Sequence, residues 1–195
     1  MKLIRNKFIL VLVLLATLSL VFQTVHAQSD KPLVIVMTAD GPIMPPMLEY
    51  IRRGIQVAEQ ESAEALIIQL KTPGGDLLTT LDIIGVIRAS NVPVIIYVAP
   101  RNSFAGSAGA MITVAGHASA MAPETTIGAS TPINSSGENL DSDLRAKKIN
   151  ESQAAIREYV KPRGEEALAL ANAMIEEAKA ATEKEALEVG LIDFV

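Results

Sequence analysis

Three predominantly apolar, β-favouring runs constrain this chain more than any other feature: LVIVM at 33–37, ALIIQL at 65–70 and VPVIIYVA at 92–99. A strand with one face in water alternates apolar and polar residues, so continuous runs predict strands buried on both faces, as in a parallel sheet. Helical patterns lie between them. Residues 46–61 place Met47, Ile51, Ile55 and Ala58 at helical spacing behind Pro46, which suits a first helical turn. Residues 77–90 read as a second helix and the stretch from about Ser107 as a third, with short β runs near 118–121 and 126–129. This alternation predicts an α/β chain whose parallel sheet is covered by helices on both faces. Further helices are expected at 150–160 and 164–178. Residues 182–195 open with a capping box, Thr182 to Glu185, stop at Gly190 and end in a short strand. Residues 130–148 are polar and predict a mobile loop.

Of the 195 residues 49% are hydrophobic, enough for one domain with its own core, and with 4% aromatics and no Trp that core is aliphatic. The net charge of -5 comes with no long Lys/Arg cluster, which argues against a nucleic-acid partner. The absence of Cys removes disulfides, thiolate metal sites and a cysteine nucleophile. No cofactor or metal is expected. The N-terminus has a basic head (Lys2, Arg5, Lys7), an apolar middle from Phe8 to Phe22 and a small-residue end at Ala27. That is the pattern of a secretory signal peptide, so residues 1–27 are expected to be a leader and 28–195 the exported domain. An uncleaved leader serving as a membrane anchor is the alternative.

Two places carry candidate chemistry. Pro73-Gly74-Gly75-Asp76 separates a buried strand from a helix. Its glycines let backbone N–H groups approach an anion or a developing oxyanion, or the segment is a tight turn capped by Asp76. Residues 101–123 crowd Gly and Ala around Ser107, which falls at the carboxyl edge of the sheet, where open α/β sheets bind ligands. Ser107 is either a nucleophile with room for a substrate or a helix N-cap. A nucleophilic serine needs a base. His117 falls ten residues further on, roughly 15 Å along the same expected helix, and is excluded. The base must then be a lysine or a carboxylate, with Lys147 and Lys148 as candidates; burial would favour the neutral amine such a base requires.

The set of motifs TPGG, SFAGSAGAMI, AMAPETTIGASTPI and EALEVGLID resembles the N-terminal protease domain of NfeD proteins, over residues 31–195. That group belongs with signal peptide peptidase A to the Clp-protease/crotonase-like class. The resemblance implies a repeated β-β-α/βαβ superhelical sheet flanked by helices and a membrane-associated serine endopeptidase with a Ser–Lys dyad. It puts the family serine on Ser107, the lysine on Lys148 with Lys147 as second choice, and the oxyanion N–H donors on Gly75 and Ala108. It also implies a hydrophobic peptide or a stomatin-like membrane protein as partner, and assembly as a homodimer or higher homo-oligomer. Family members often read Asp where this chain has Lys71, and long members continue past the point where this sequence stops, so it is a short form or a fragment. Two other readings remain: a catalytically inactive member that binds or assembles a membrane partner, and an acyl-CoA enzyme of crotonase type. The second would need clustered acids, and only Glu124 lies near the motif core. The aliphatic Leu77, Leu78 and Met111 are read as lining an apolar substrate groove or as core.

Overall fold

The computed structural model describes residues 31–134 and 137–195. The leader expected at 1–27 lies outside them. The three apolar runs become β1 (Val34–Asp40), β2 (Ala65–Lys71) and β3 (Val94–Val98), which with β5 (Ala118–Met121) make a four-stranded parallel sheet in the order β1-β2-β3-β5. Partners lie level across it: Met37 beside Ile68 beside Ile96, and Val36 beside Ile67 beside Ile95. The Met37–Ile68–Ile96 face is buried. Helices α1 (Pro45–Gln60) and α3 (Ala108–Ala115) lie against this sheet, and α2 (Leu77–Arg88) packs on both helices. The other face is only partly buried along β2 and β3, and Val36 on the edge strand is 54% exposed. The two-sided burial predicted from the apolar runs therefore holds in full for one face.

A second, three-stranded sheet was not legible as such. It pairs β4 (Phe104–Gly106) in parallel with β6 (Thr126–Gly128), and β6 antiparallel with β7 (Ala180–Thr182). Strands of three residues are too short to show a period, and β4 and β7 went unpredicted for that reason. β4 joins the two sheets: Thr72 N–H donates to Phe104 O at 3.0 Å, and Gly106 N–H to Thr72 O at 2.9 Å.

The C-terminal part corrects two boundaries. The helix expected from 150 begins at Ser142 and runs to Val160 (α4), with Asp141 Oδ1 capping Leu144 N–H at 3.0 Å. Its buried residues are Ser152, Gln153, Ile156 and Val160, all in the second half, so the polar first half gave no apolar period to read. The expected loop 130–148 thus ends in helix. His117 lies beyond the end of α3, at the start of β5, instead of on the helix. A 3-10 turn (Lys161–Arg163), α5 (Glu165–Glu176) and α6 (Glu183–Glu188) complete the fold, and the Thr182–Glu185 capping box forms as expected. The expected terminal strand is a single bridge from Phe194 to Ala120. Among the described residues no helix is long and apolar enough to cross a membrane.

The C-terminus is tied down by charge. Arg163 grips Asp193 with two bonds of 2.9 and 3.0 Å, and Asp193 Oδ2 also accepts from Ser119 N–H at 2.7 Å. Burial alone would raise the Asp193 carboxyl; the bonds from Arg163 and Ser119 outweigh it and hold it below its ordinary value of 3.8. A carboxyl lowered by folding stabilises the native state above its unfolded value and stops doing so as pH falls through the folded one. We expect Asp193→Ala to cost about 1 kcal/mol at pH 7, discounted for the solvent that reaches the pair. In urea unfolding the gap between variant and wild type should close as the pH is taken below about 4.

Candidate active site

The site grows from the seam between the two sheets. β2 ends at Lys71, whose Nζ reaches Asp40 of β1 at 3.1 Å. Beyond it Thr72 is fully buried; its backbone bonds twice to β4, and its Oγ1 accepts from Gly74 N–H at 3.1 Å. The chain then turns through Pro73, Gly74 and Gly75. Gly74 has φ +110°, open to glycine and costly for other residues. A side chain there would put Cβ 2.7 Å from Ser107 Cβ; at Gly75 it would lie 2.0 Å from Ile43 O. The glycines are required because the loop runs between Ile43 and Ser107 with no space for a methyl group. Ile43 N–H donates to Gly74 O at 2.8 Å and Asp76 N–H to Ile43 O at 2.9 Å. In this parallel bridge the N–H of Gly75 points away from Ile43. Asp76 then caps α2, accepting from Thr79 N–H and Thr79 Oγ1 at 2.7 Å each. Turn and cap coexist with a free-facing N–H, so the two readings of this segment were not exclusive.

Ser107 stands where β4 turns sharply into α3, at φ 51° and ψ -113°. A non-glycine residue in this region is strained, and such strain collects at functional sites. Its position is that of an N-cap, yet its side chain makes no capping hydrogen bond. The hydroxyl is thus not used to hold the helix. Ala108 opens α3, where the first N–H groups have no partner within the helix. The structure brings together Ser107, Ala108, Gly74 and Gly75.

It does not bring Lys148 into hydrogen-bond contact with Ser107. Lys148 is on the second turn of α4, half-buried, and its Nζ donates to Glu151 Oε2 at 2.8 Å. Asp76 is held below its ordinary carboxyl value by the Thr79 bonds first, and the positive charge of Lys148 adds to the same direction. Lys147 is exposed on the same helix. Leu78 is 67% exposed at the start of α2, Leu77 is half-buried and Met111 is buried core, so of the three groove candidates Met111 is removed. Glu124 is exposed and paired with Arg101. His117 lies at the opposite edge of the sheet, where Val94 N–H donates to its Nδ1 at 3.1 Å. Although the residue as a whole is exposed, the ring nitrogen faces the backbone; burial, with the charge of Arg88, holds its pKa below the ordinary 6.5.

Sequence reasoning missed three groups. Gly128 O accepts from Ser107 N–H at 2.8 Å, Ser130 Oγ donates to Ser107 O at 3.2 Å, and Glu151 holds Lys148. Only the last had a local signal, an acid three residues after a lysine on one helical face.

This arrangement is that of the Clp-protease-like α/β fold. The chain belongs to the NfeD1b N-terminal domain family, whose sequence model matches residues 33–192. It is 38% identical over 166 residues to the membrane-bound protease PH1510 of Pyrococcus horikoshii, a match covering 85% of this chain and 37% of that protein. It is 28% identical over 138 residues to the membrane protein NfeD1b of Bacillus subtilis, covering 71% of this chain and 31% of that one. The chain thus spans about a third of the length of these relatives. Among solved structures it resembles the 1510-N membrane-bound stomatin-specific protease with one lysine changed to alanine, in complex with a substrate peptide. The TM-score is 0.77 at 35% identity, over 85% of this chain and 76% of that one. A form of the 1510-N protease with one serine changed to alanine matches with the same score and identity, over 85% and 80%. The serine and lysine changed in those two structures are separated in sequence by the same interval as Ser107 and Lys148.

Two outcomes follow from this geometry. Gly74→Ala forces a methyl group against Ser107 at a positive φ, and should destabilise the protein by about 1–3 kcal/mol in urea unfolding. His117 is lowered on folding, so its contribution is complete above pH 6.5 and is lost as pH falls below it. Stability should fall between pH 7 and pH 5.5, and fall less in His117→Gln, whose amide oxygen can still accept the Val94 N–H.

Proposed function

We propose that this domain is a serine endopeptidase in which Ser107 is the nucleophile, Lys148 the base, and the N–H groups of Gly75 and Ala108 the oxyanion donors. The observation that carries the reading is the Ser107 hydroxyl, held on a strained turn against the glycine loop and spared from capping α3. In the reaction Lys148 leaves Glu151 and, as the neutral amine, takes the Ser107 proton. The Ser107 oxygen attacks a peptide carbonyl, and Gly75 and Ala108 hold the charge that forms on its oxygen. The leaving amine takes the proton from Lys148, an acyl-enzyme remains, and Lys148 then removes a proton from the water that releases it. The spacing of the altered serine and lysine in the 1510-N structures supports the pairing of Ser107 with Lys148.

The substrate proposed is an apolar peptide segment. Met44 adjoins Ile43 and is 46% exposed, and Leu78 follows the Asp76 cap at 67%; both flank the Gly75 bridge with apolar surface. The relative described as stomatin-specific suggests a stomatin-like membrane protein as the source of that segment. We further propose that residues 28–195 form an exported domain that acts at the membrane as a homodimer or larger homo-oligomer. One observation favours a second reading, an inactive binding module: in this structure Lys148 is engaged with Glu151 instead of Ser107.

Hydrolysis of a short apolar peptide separates the two. Ser107→Ala and Lys148→Ala should each lower kcat by about 10³-fold or more, with peptide binding retained. A wild-type protein that binds the peptide without cleaving it establishes the binding module. Cleavage that survives either substitution removes that residue from the dyad.

A further inference from the structure

We propose that Ser130 is a positioning residue for the oxyanion site: its hydroxyl sets the direction of the Ala108 N–H by holding the other end of the same peptide unit. The inference rests on the endopeptidase reading above and deepens it. A trans peptide is planar, and its C=O and N–H point in opposite directions. The unit that joins Ser107 to Ala108 therefore has one rigid axis, with the Ser107 carbonyl at one end and the Ala108 N–H at the other. Ser130 is 5% exposed, and its Oγ donates to Ser107 O at 3.2 Å. The same carbonyl accepts from Ala110 N–H at 3.0 Å and Met111 N–H at 3.4 Å, which belong to the helix it begins. Among the described residues Ser130 is the one donor that fixes the carbonyl from outside α3.

Ser130 is itself held. Its N–H donates to Met174 O at 2.8 Å, Thr131 Oγ1 donates to Ile175 O at 2.9 Å, and Ala129 N–H donates to Lys179 O at 2.8 Å. The segment after β6 is thereby fixed to the end of α5, and Gly128 at its start takes the Ser107 N–H at 2.8 Å. Both peptide units flanking Ser107 are thus gripped from one segment. The other proposed donor is built in the same way: the Gly74–Gly75 peptide has its carbonyl held by Ile43 N–H at 2.8 Å, which aims the Gly75 N–H away from that bond. Each N–H proposed to face the oxyanion is the free end of a peptide anchored at its carbonyl.

The test compares wild type, Ser130→Ala and Ser130→Thr by kcat and KM on the apolar peptide, by melting temperature, and by the amide resonance of Ala108 in the resting protein. Removing an oxyanion donor outright costs about 10²–10³-fold in kcat, and a misdirected donor less. We expect Ser130→Ala to lose about 10-fold in kcat with KM within about two-fold. The Ala108 amide should shift, and Ser130→Thr should restore both. A kcat near wild type in Ser130→Ala, or a loss that threonine does not repair, overturns the assignment. Ser130→Cys keeps the shape with a far weaker donor and serves if the alanine variant does not fold; wild-type kcat in it overturns the assignment equally. Should the wild type cleave nothing, the endopeptidase reading falls by itself, and an unshifted Ala108 amide in Ser130→Ala then overturns the positioning claim.

Discussion

The N–H of Ser107 donates to Gly128 O while Gly106 N–H, one residue earlier, donates to Thr72 O. These two bonds pull the same short stretch towards different sheets. Gly106 faces the end of β2 beside the Thr72 bridge, and Ser107 faces Gly128 at the end of β6. Successive residues of a strand bond to opposite sides as a matter of course; what departs from the strand is the positive φ of Ser107, where β4 turns into α3. The strain persists because both neighbours are paired and cannot relax. Sheet seam, sharp turn and a hydroxyl not used as a cap are one structural fact.

Small residues follow from that seam. Gly106 comes so near Pro73 that a Cβ on it would lie 3.0 Å from Pro73 O, and Gly109 meets the Thr72 methyl, where a Cβ would lie 2.4 Å away. The crowd of Gly and Ala around Ser107 is thus first a packing requirement of two chains passing at backbone distance. The question of packing or nucleophile posed by the sequence has the same residues on both sides.

The legible parts were those whose signal is local or periodic. The apolar runs marked β1, β2 and β3, Asp76 and Thr182 marked their helices, and the GSAG stretch marked the turn at Ser107. The second sheet was illegible because its strands are three residues long and its cohesion comes from partners far apart in sequence. The first half of α4 was illegible because none of its residues is fully buried. Ser130 acts on a residue 23 positions away through a turn that Ala129 makes at φ 50°, and no spacing rule forecasts that. Lys148 was expected at the end of a polar loop; its helical setting and its Glu151 partner came only from the fold.

The helical root of Lys148 has a consequence for timing. α4 is docked by Arg145 on Glu176 O at 2.8 Å and by Gln153 on Glu176 Oε1 at 2.7 Å, so its backbone is pinned on both sides of the lysine. Moving the amine from Glu151 is then a matter of torsions along four methylene groups, a picosecond-to-nanosecond event for a side chain with access to solvent. A loop would have needed a slower rearrangement of its own backbone. Release of this amine from Glu151 is therefore a rotameric equilibrium of the side chain and does not wait on the backbone.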